Sequence, residues 1–239
     1  MRRVLVTGGG TGIGRAIARS FAEAGDAVTI CGRRLEPLQE TAVGFDMQMR
    51  QADVTNEASV AELFDQPFDV VVANAGIARN AKLTELSLQD WNETLNVTLT
   101  GVFLTFRAAL PTMSKGGRLI AIASTASLQG GATLAAYSAA KHGVLGLVRS
   151  TAKEIAKSGV TCNAVCPGFV DTDMAQAAAT SVSKKFGTTE DKAMEMIVAA
   201  NPMRRLIVPE EVAASVLFLA SAGAASVNGH ALSVSGGEI

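Results

Sequence analysis

The sequence is poor in the residues that build metal sites and disulfide frameworks. Its 239 residues include three cysteines and two histidines. The cysteines, Cys31, Cys162 and Cys166, form no C-x-x-C pair, and this spacing argues against a zinc site. We therefore predict no metal site. We expect the three thiols to be reduced, as is usual for a cytoplasmic protein.

Charge of one sign and long apolar runs are also missing. The formal net charge is −1 at pH 7, so the composition indicates neither a nucleic-acid partner nor an anionic membrane partner. No uninterrupted apolar run reaches the ~18 residues of a membrane span. The N-terminal segment MRRVLVTGGG contains only a short apolar run, which predicts a buried strand and not a signal peptide. Internal repeats and low-complexity segments are absent as well.

The chain does contain a regular alternation of short apolar runs and amphipathic segments. Strands are predicted over residues 4–6, 27–31, 47–52, 69–73, 118–123, 160–166 and 230–234. Helices are predicted over residues 13–24, 35–43, 56–64, 88–113, 135–157, 175–183, 189–200 and 210–222. This alternation predicts a single α/β domain with a mostly parallel, doubly wound sheet and helices on both faces. The irregular segment 171–207 is the natural lid over a ligand.

Residues 124–141 (STASLQGGATLAAYSAAK) place a tyrosine and a lysine on one predicted helix. Tyr137 and Lys141 are four residues apart, so their side chains share a face. A cation next to a phenol favours the phenolate, and we therefore expect Lys141 to lower the pKa of Tyr137 and fit it for proton transfer. Ser124 closes the preceding strand, where its hydroxyl could hold the same substrate oxygen. A Y-x-x-x-K pair alone also fits a surface tyrosine and lysine on an alanine-rich helix.

The first strand runs into a glycine-rich turn, TGGGTGIG, which is followed by a helix. Strand, glycine turn and helix are the context of a dinucleotide-binding site, in which glycines let the backbone approach a pyrophosphate and the helix N-terminus faces the anion. The spacing is T-G-x-x-x-G-x-G (Thr7, Gly8, Gly12 and Gly14) and not G-x-G-x-x-G. A glycine-rich turn that binds no phosphate is the alternative.

The residues after the second strand bear on the choice of cofactor. NAD sites place an acidic residue about 20 residues past the glycines, where it binds the ribose 2′-hydroxyl. Here Gly32 and Arg33 occupy that place, with Arg34 next. A guanidinium suits a 2′-phosphate, so we predict NADPH/NADP as the cofactor in preference to NAD. A solvent-exposed loop arginine is the alternative.

Two further asparagines stand at informative positions. Asn74-Ala75-Gly76 follows the unbroken apolar run of the fourth strand, at the carboxyl end where open α/β sheets bind ligands. Asn96 lies inside the long predicted helix 88–113, where asparagine is unfavourable because its amide competes with the backbone. Asn96 is therefore a candidate functional residue; a solvent-facing asparagine is the alternative.

Taken together, these features resemble the short-chain dehydrogenase/reductase family over essentially the whole chain. The motifs that carry the resemblance are the glycine turn, Asp53-Val54, Asn74-Ala75-Gly76, Asn96, Ser124, the Tyr137/Lys141 pair and Pro167-Gly168. The resemblance implies one Rossmann domain over residues 1–239, with seven strands in the order 3-2-1-4-5-6-7. It also implies a homotetramer that assembles through the helices predicted over residues 88–113 and 135–157.

The resemblance also implies a role for each matching residue. Tyr137 would be the general acid/base, Lys141 would bind the nicotinamide ribose and hold the acidity of the phenol, and Ser124 would orient the substrate carbonyl. Asn96 would hold a water linking Lys141 to solvent. Asp53 would contact the adenine and Thr172 the nicotinamide end. The implied cofactor-binding residues are Gly8, Thr11, Gly12, Ile13, Gly14, Arg33, Asp53, Val54, Asn74, Ala75, Gly76, Tyr137, Lys141, Pro167, Gly168, Val170 and Thr172.

Within the family the sequence is most similar to 3-oxoacyl thioester reductases and aromatic-polyketide ketoreductases. Three segments carry this similarity: NAVCPGFVDT, NPMRR and NGHALSVSGG. Many bacterial alcohol dehydrogenases share those stretches. Ser235 departs from the aspartate that is common at its position, and this difference leaves the chemistry untouched.

These inferences predict an NADPH-dependent reductase of a ketone, with a 3-oxoacyl thioester as the expected substrate. The alternative enzyme is an NAD(P)-dependent dehydrogenase that oxidises a secondary alcohol or a 3-hydroxyacyl-CoA. A catalytically silent NADP-binding or scaffold protein is disfavoured because all four catalytic-type residues are present. A small-molecule or acyl-thioester partner is expected, and four basic residues in or beside the lid either contact its phosphates or form a solvated surface. These residues are Lys184, Lys185, Arg204 and Arg205.

Overall fold

The computed structural model of the chain describes residues 1–199 and 201–239. Seven strands form one parallel sheet in the order β3-β2-β1-β4-β5-β6-β7. The strands are β1 (Arg3–Thr7), β2 (Ala27–Gly32), β3 (Met47–Gln51), β4 (Val70–Ala73), β5 (Arg118–Ile122), β6 (Thr161–Pro167) and β7 (Ala231–Val234). This order and the parallel pairing confirm the predicted fold class, a single doubly wound α/β domain.

Helices cover both faces of the sheet. They are α1 (Gly12–Glu23), α2 (Leu35–Ala42), α3 (Glu57–Ala61), α4 (Leu88–Leu95), α5 (Gly101–Ala109), α6 (Ala135–Glu154), α7 (Asp173–Phe186), α8 (Glu190–Val198) and α9 (Pro209–Ala220). Within the described part of the chain, no helix combines the length and the apolar character that crossing a membrane requires.

The continuous apolar run of β4 explains why the sheet is buried on both faces. Successive side chains of a strand point to opposite faces, so Val70 and Val72 join one core and Val71 and Ala73 join the other. The first core is closed by α1, α2 and α9, with Phe21 fully buried. The second is closed by α5 and α6. A strand in the middle of a parallel sheet therefore needs apolar residues at every position.

The strand order creates a crevice at the carboxyl edge of the sheet. Strand β1 pairs with β2 on one side and with β4 on the other, so the chain leaves β1 and β4 in opposite lateral directions. Ligands of open α/β sheets bind outside the strand ends at such a point. Thr7 and Ala73 end these two strands, and the glycine turn and Asn74 follow them directly.

The predicted helix 88–113 is not one regular α-helix. Between α4 and α5 lies a π-helical turn, Asn96–Thr100, in which the Gly101 N–H donates to the carbonyl oxygen of Asn96 five residues earlier. A 3₁₀ turn, Leu110–Thr112, follows α5. Single π turns inside helices are often found at functional sites. The apolar pattern did not reveal this turn because it differs from an α-helix only in the choice of hydrogen-bond acceptor.

The segment 171–207 contains two helices at the positions where helical pieces were predicted. Helix α7 is longer than the predicted piece 175–183 and ends before Gly187, which has a φ of 62°. Helix α8 corresponds to the predicted piece 189–200, whose last residue, Ala200, lies outside the described residues. The two ends of the segment are joined by a bridge between Val170 and Ile207.

Candidate active site

A cleft of about 820 Å³ opens at the carboxyl ends of the strands. Its lining includes Ser124 and all the residues predicted to bind the cofactor: Gly8, Thr11, Gly12, Ile13, Gly14, Arg33, Asp53, Val54, Asn74, Ala75, Gly76, Tyr137, Lys141, Pro167, Gly168, Val170 and Thr172. The ends of six strands, β1 to β6, with the segments that follow them, and helix α6 contribute these residues, so the fold brings them into one cavity from distant parts of the chain. The described residues contain no group of three His, Cys, Asp or Glu side chains placed to hold a metal ion.

Asn74 fixes the glycine turn from the neighbouring strand end. Its Nδ2 donates to the carbonyl oxygens of Thr7 (3.0 Å) and Gly8 (3.1 Å). Gly14 lies against this contact, where a Cβ would be 2.5 Å from Nδ2 of Asn74 and would also collide with the backbone of Gly8. Glycine at this position therefore lets the turn pack closely on α1. Gly12, at the start of α1, lines the cleft, so the helix N-terminus faces the cavity.

Arg33 and Asp53 lie at the nucleotide side of the cleft, which we define as the side formed by the ends of β1, β2 and β3. Arg33 is exposed, and its carbonyl oxygen accepts a hydrogen bond of 2.8 Å from Nε2 of Gln51. Asp53 accepts from the backbone N–H (2.9 Å) and the hydroxyl (2.8 Å) of Thr55. The Thr55 backbone N–H, then its hydroxyl and the charge of Arg33, hold the pKa of Asp53 below its usual value. The carboxylate is therefore ionised at neutral pH.

Lys141 is buried at the opposite side of the cleft, with 4 % of its surface exposed. Its Nζ donates a 2.6 Å hydrogen bond to the carbonyl oxygen of Ile122, the last residue of β5. The same nitrogen lies 5.6 Å from the ring centroid of Tyr137. Burial lowers the pKa of Lys141 from 10.5 to about 8, and the buried Cys166 opposes this shift.

The phenol of Tyr137 behaves differently from the sequence-based expectation. Burial raises the pKa of Tyr137 above 10.0, and the nearby Ser124 hydroxyl opposes the shift only in part. The expectation that Lys141 lowers this pKa is wrong for this structure, because burial outweighs the effect of neighbouring groups. The phenol keeps its proton at neutral pH, so the structure favours a proton donor over a preformed phenolate.

Ser124 is held in a reciprocal cap at the end of β5. Its Oγ accepts from the backbone N–H of Ala126 at 3.1 Å, and its own N–H donates to Oγ of Ser127 at 3.1 Å. Because the oxygen accepts here, the hydroxyl proton of Ser124 is free to donate to another oxygen in the cleft. Ser124 and Tyr137 thus present two O–H donors to the same part of the cavity.

Comparison with known proteins identifies the family. A family model described as enoyl-(acyl carrier protein) reductase matches residues 8–238. A 3-oxoacyl-[acyl-carrier-protein] reductase of Synechocystis is 37% identical, over 98% of this chain and 96% of that protein. A D-beta-hydroxybutyrate dehydrogenase of Rhizobium meliloti is 32% identical, over 99% of this chain and 98% of that protein. The chain belongs to the short-chain dehydrogenase/reductase family.

A solved structure supports the same conclusion at the level of the fold. The crystal structure of a variant of actinorhodin polyketide ketoreductase with NADPH aligns with a TM-score of 0.94 at 37% identity. The alignment covers 99% of this chain and 97% of that chain. The resemblance inferred from the sequence motifs is therefore confirmed, and the chain is an oxidoreductase of the short-chain dehydrogenase/reductase family.

Asn96 occupies a different place from the other candidate catalytic residues of this short-chain dehydrogenase/reductase. Its side chain is exposed on the π-helical turn, and the cleft lining formed by the described residues does not include it. Thr98, on the same turn, is fully buried. Its Oγ1 accepts from the backbone N–H of Ile77 and donates to the carbonyl oxygen of Ile77, both at 3.2 Å. The turn therefore supports the segment after Gly76 through Thr98, which sequence reasoning missed.

Sequence reasoning also missed much of the lining on the catalytic side, which we define as the side formed by the ends of β5, β6 and β7. The missed residues include Gln129, Met174, Val182, Ile197 and Glu238. Gln129 follows Ser124 by five residues and Glu238 follows β7 by four. Their proximity to these elements was the available signal, but neither lies in a motif whose chemistry is readable from spacing.

The four basic residues predicted to contact a thioester substrate do not line the cleft. Among the residues that the structure describes, the lining includes none of Lys184, Lys185, Arg204 and Arg205. Arg205 is held by Glu211 in two hydrogen bonds of 2.7 Å, one from each terminal nitrogen. Lys184 and Lys185 are exposed in the last turn of α7. Because its charge is already paired with Glu211, Arg205 fits the alternative of a solvated surface residue better than that of a phosphate contact.

Proposed function

We propose that this short-chain dehydrogenase/reductase reduces a ketone to a secondary alcohol with NADPH, and that the ketone is a 3-oxoacyl thioester. The observation that carries the proposal is the arrangement of one cleft. The glycine turn and Arg33 lie at its nucleotide side, and Ser124, Tyr137 and Lys141 lie at its catalytic side. The names of the Synechocystis reductase and of the polyketide ketoreductase support the substrate class.

The residues of the nucleotide side fit a dinucleotide phosphate. Gly12 has a φ of 50°, and a Cβ there would come within 3.0 Å of Cγ2 of Thr172. The turn therefore stays open only with glycine, and the pyrophosphate would lie against the N-terminus of α1. Arg33 would bind the 2′-phosphate by a charge-assisted hydrogen bond. When bound, the cofactor supplies the hydride, and the protein supplies orientation and acidity.

The residues of the catalytic side would hold the carbonyl oxygen and protonate it. The Ser124 hydroxyl has a free proton to donate to that oxygen, and the Tyr137 phenol carries the proton that is transferred. Because burial raises the pKa of Tyr137, the phenol enters the reaction protonated. A negative charge that develops on Tyr137 would be stabilised by the Lys141 ammonium 5.6 Å from the ring centroid.

Two further roles belong to the proposal. Asn96 would hold a water that links Lys141 to solvent, and the exposed position of Asn96 on the π-helical turn is compatible with a water contact. Segment 171–207 would act as the substrate lid. Met174, Val182 and Ile197 of this segment line the cleft with apolar side chains, which suit an acyl chain.

The runner-up function is the oxidation of a secondary alcohol or a 3-hydroxyacyl-CoA with NAD(P). The observation that favours it is the 32% identity to a protein named D-beta-hydroxybutyrate dehydrogenase. The same residues would serve this direction, because the group that protonates an alkoxide also accepts the proton of an alcohol. The lowered pKa of Lys141, about 8, means that mildly alkaline pH changes the charge next to the phenol in either direction.

We also propose that the protein is a cytoplasmic homotetramer. The surface supports assembly at two places where phenylalanine rings are exposed: Phe103 on α5 is 40% exposed and Phe218 on α9 is 51% exposed. A contiguous exposed apolar patch marks a protein interface, and Phe103 lies in the helical region 88–113 through which the family resemblance implies assembly. Light scattering at working concentration should give four times the mass of one chain, and the mass of a monomer would contradict the assembly.

A substrate panel tests the function directly. The purified chain is supplied with NADPH and, in turn, with simple ketones, a 3-oxoacyl-CoA and a 3-oxoacyl-acyl-carrier thioester, and the oxidation of NADPH is followed. We expect turnover, with the highest kcat/KM for a thioester. Tight NADPH binding without turnover of any ketone, in either direction, would instead identify a silent cofactor-binding protein.

A further inference from the structure

Gln129 and Glu238 meet at the rim of the catalytic side of the cleft. Both line the cavity, and Nε2 of Gln129 donates a 2.9 Å hydrogen bond to Oε1 of Glu238. Gln129 belongs to the loop that carries Ser124, and Glu238 belongs to the segment that follows β7. The contact therefore joins the catalytic loop to the C-terminal segment across the substrate end of the cavity.

The position of the Glu238 carboxylate is set from a second side. A Cβ on Gly168 would lie 3.0 Å from Oε2 of Glu238, so this oxygen rests against the turn that follows β6. Gly168 is among the residues predicted to bind the cofactor. The carboxylate therefore lies at the catalytic side of the cleft, which Ser124 also lines.

Gln129 and Glu238 each leave a hydrogen-bond acceptor that is not used in their mutual contact. An ionised carboxylate only accepts hydrogen bonds, so it must face the amide nitrogen of Gln129, and the amide oxygen is left to face away from it. Glu238 Oε2 is a second acceptor. A substrate that carries its own negative charge at this point would meet two acceptors and a like charge.

The distribution of charge around the cleft strengthens this effect. In the part of the chain that the structure describes, the charged residues of the lining are Arg33, Arg34, Asp53, Lys141, Asp173 and Glu238. Arg33 and Arg34 follow β2, which is separated from β5 in the sheet by β1 and β4. Lys141 is buried and donates to Ile122. Apart from the Lys141 ammonium, the charged groups of the described lining at the substrate end are the carboxylates of Asp173 and Glu238.

We infer that Glu238, oriented by Gln129, is a specificity-determining residue that excludes substrates with a carboxylate next to the reacting carbonyl. The inference deepens the proposed function and rests on it: the substrate is an uncharged ester or thioester and not a free oxo acid. Binding sites commonly reject a competing ligand by placing a like charge next to it or by leaving one of its charges unpaired.

A matched pair of substrates tests the inference. Acetoacetate and ethyl acetoacetate have the same ketone and differ in the charge of the neighbouring group. With NADPH at neutral pH, we expect the wild-type protein to prefer the ester by at least about tenfold in kcat/KM, equivalent to about 1.4 kcal/mol. Glu238→Gln removes the charge and keeps the shape, so the ratio of ester to acid should fall by at least about tenfold. Added salt should also reduce the ratio, because Glu238 is only partly buried.

The control variant is Glu210→Gln, which removes an exposed carboxylate from the first turn of α9, away from the cleft. Its ratio should equal that of the wild type. A wild-type ratio near one, or a ratio that Glu238→Gln leaves unchanged, would overturn the inference while the turnover itself upholds the proposed function.

A second measurement covers the outcome in which neither compound is reduced. The Kd of each compound for the NADPH-loaded protein is then measured by NMR titration. Weaker binding of the acid in the wild type, relieved in Glu238→Gln, supports the inference even though the proposed function fails for this pair. Equal affinity for the acid and the ester in both proteins would overturn it.

Discussion

Lys141 and Tyr137 lie one turn apart on α6, but the lysine ammonium is anchored to the sheet: its Nζ donates at 2.6 Å to the carbonyl oxygen of Ile122. Burial then acts on the two residues in opposite directions, because it disfavours the charged form of each. It lowers the pKa of Lys141 to about 8 and raises the pKa of Tyr137. At neutral pH the pair therefore holds a protonated phenol beside an ammonium.

The first prediction concerns the dependence of stability on pH. The pKa of Lys141 is about 8 in the folded chain and 10.5 as its ordinary value. Between these two pH values, more of the unfolded chains than of the folded chains carry the Lys141 proton. The free energy of unfolding should therefore rise with pH in this window through Lys141. Tyr137 acts in the opposite sense above pH 10.0, because only the unfolded chain then loses the phenol proton.

The variant Lys141→Met isolates this contribution, since it keeps an unbranched side chain and removes the titration. Urea unfolding of both proteins is followed at several pH values between neutral and 10. We expect the free energy of unfolding of the wild type, measured relative to that of Lys141→Met, to increase as the pH rises. Below pH 8 the difference should be flat. A difference that is flat throughout, or that moves against the wild type, would show that the ammonium is not desolvated.

The second prediction concerns the close approach at Gly14. A methyl group there would lie 2.5 Å from Nδ2 of Asn74, so Gly14→Ala must displace either the turn or the asparagine. We expect a loss of about 1–3 kcal/mol in the free energy of unfolding and at least about tenfold weaker NADPH binding by calorimetry.

Gly146→Ala is the matched control for Gly14→Ala. Gly146 lies in helix α6, and a Cβ there meets nothing within 4 Å. This variant should gain about 0.5–1 kcal/mol in stability, because alanine is the better helix former, and should bind NADPH as the wild type does. Unchanged NADPH affinity in Gly14→Ala would mean that the turn is not the phosphate site.

The third prediction concerns the choice between the two nicotinamide cofactors. A charge-assisted hydrogen bond contributes about 1.5–3 kcal/mol, which corresponds to about ten- to more than a hundredfold in affinity. Arg33→Ala should therefore remove most of the preference for NADPH by raising its KM, with the KM for NADH little changed. Added salt should weaken the wild-type preference because Arg33 is exposed.

The control for Arg33→Ala is Arg50→Ala, since Arg50 is half-buried, lies outside the described cleft lining and is paired with Asp65 at 2.9 Å. This variant should keep the preference for NADPH. A wild-type enzyme that favours NADH, or an Arg33→Ala enzyme with its preference intact, would make this arginine an ordinary surface residue.

The fold and the composition of the cleft could largely be predicted from the sequence. Each predicted strand overlaps an observed one, because a parallel sheet that is covered on both faces requires short continuous apolar runs such as Val70–Ala73. Residues that follow strand ends, such as Asn74, reach the cleft because parallel strands all end at the same edge. Their gathering in one cavity is a consequence of topology.

The remaining features depend on three-dimensional surroundings that spacing does not encode. The four-residue spacing of Tyr137 and Lys141 placed them on one helix face, but desolvation of the phenol and of the ammonium decides the direction of their pKa shifts. The π-helical turn at Asn96 depends on which carbonyl accepts from Gly101. The contact between Gln129 and Glu238 joins segments 109 residues apart, and neither segment has a recognisable motif.

The turnover of Tyr137→Phe shows whether the phenol is the proton donor. This substitution removes the phenolic oxygen and keeps the ring, and because the chain contains a single tyrosine, no other phenol can replace it. With the best ketone of the substrate panel, we expect a loss of at least ~10²-fold in kcat, the low end of general acid–base contributions, while calorimetry shows NADPH still bound. Near-normal turnover by Tyr137→Phe would contradict the assignment of Tyr137 as the proton donor.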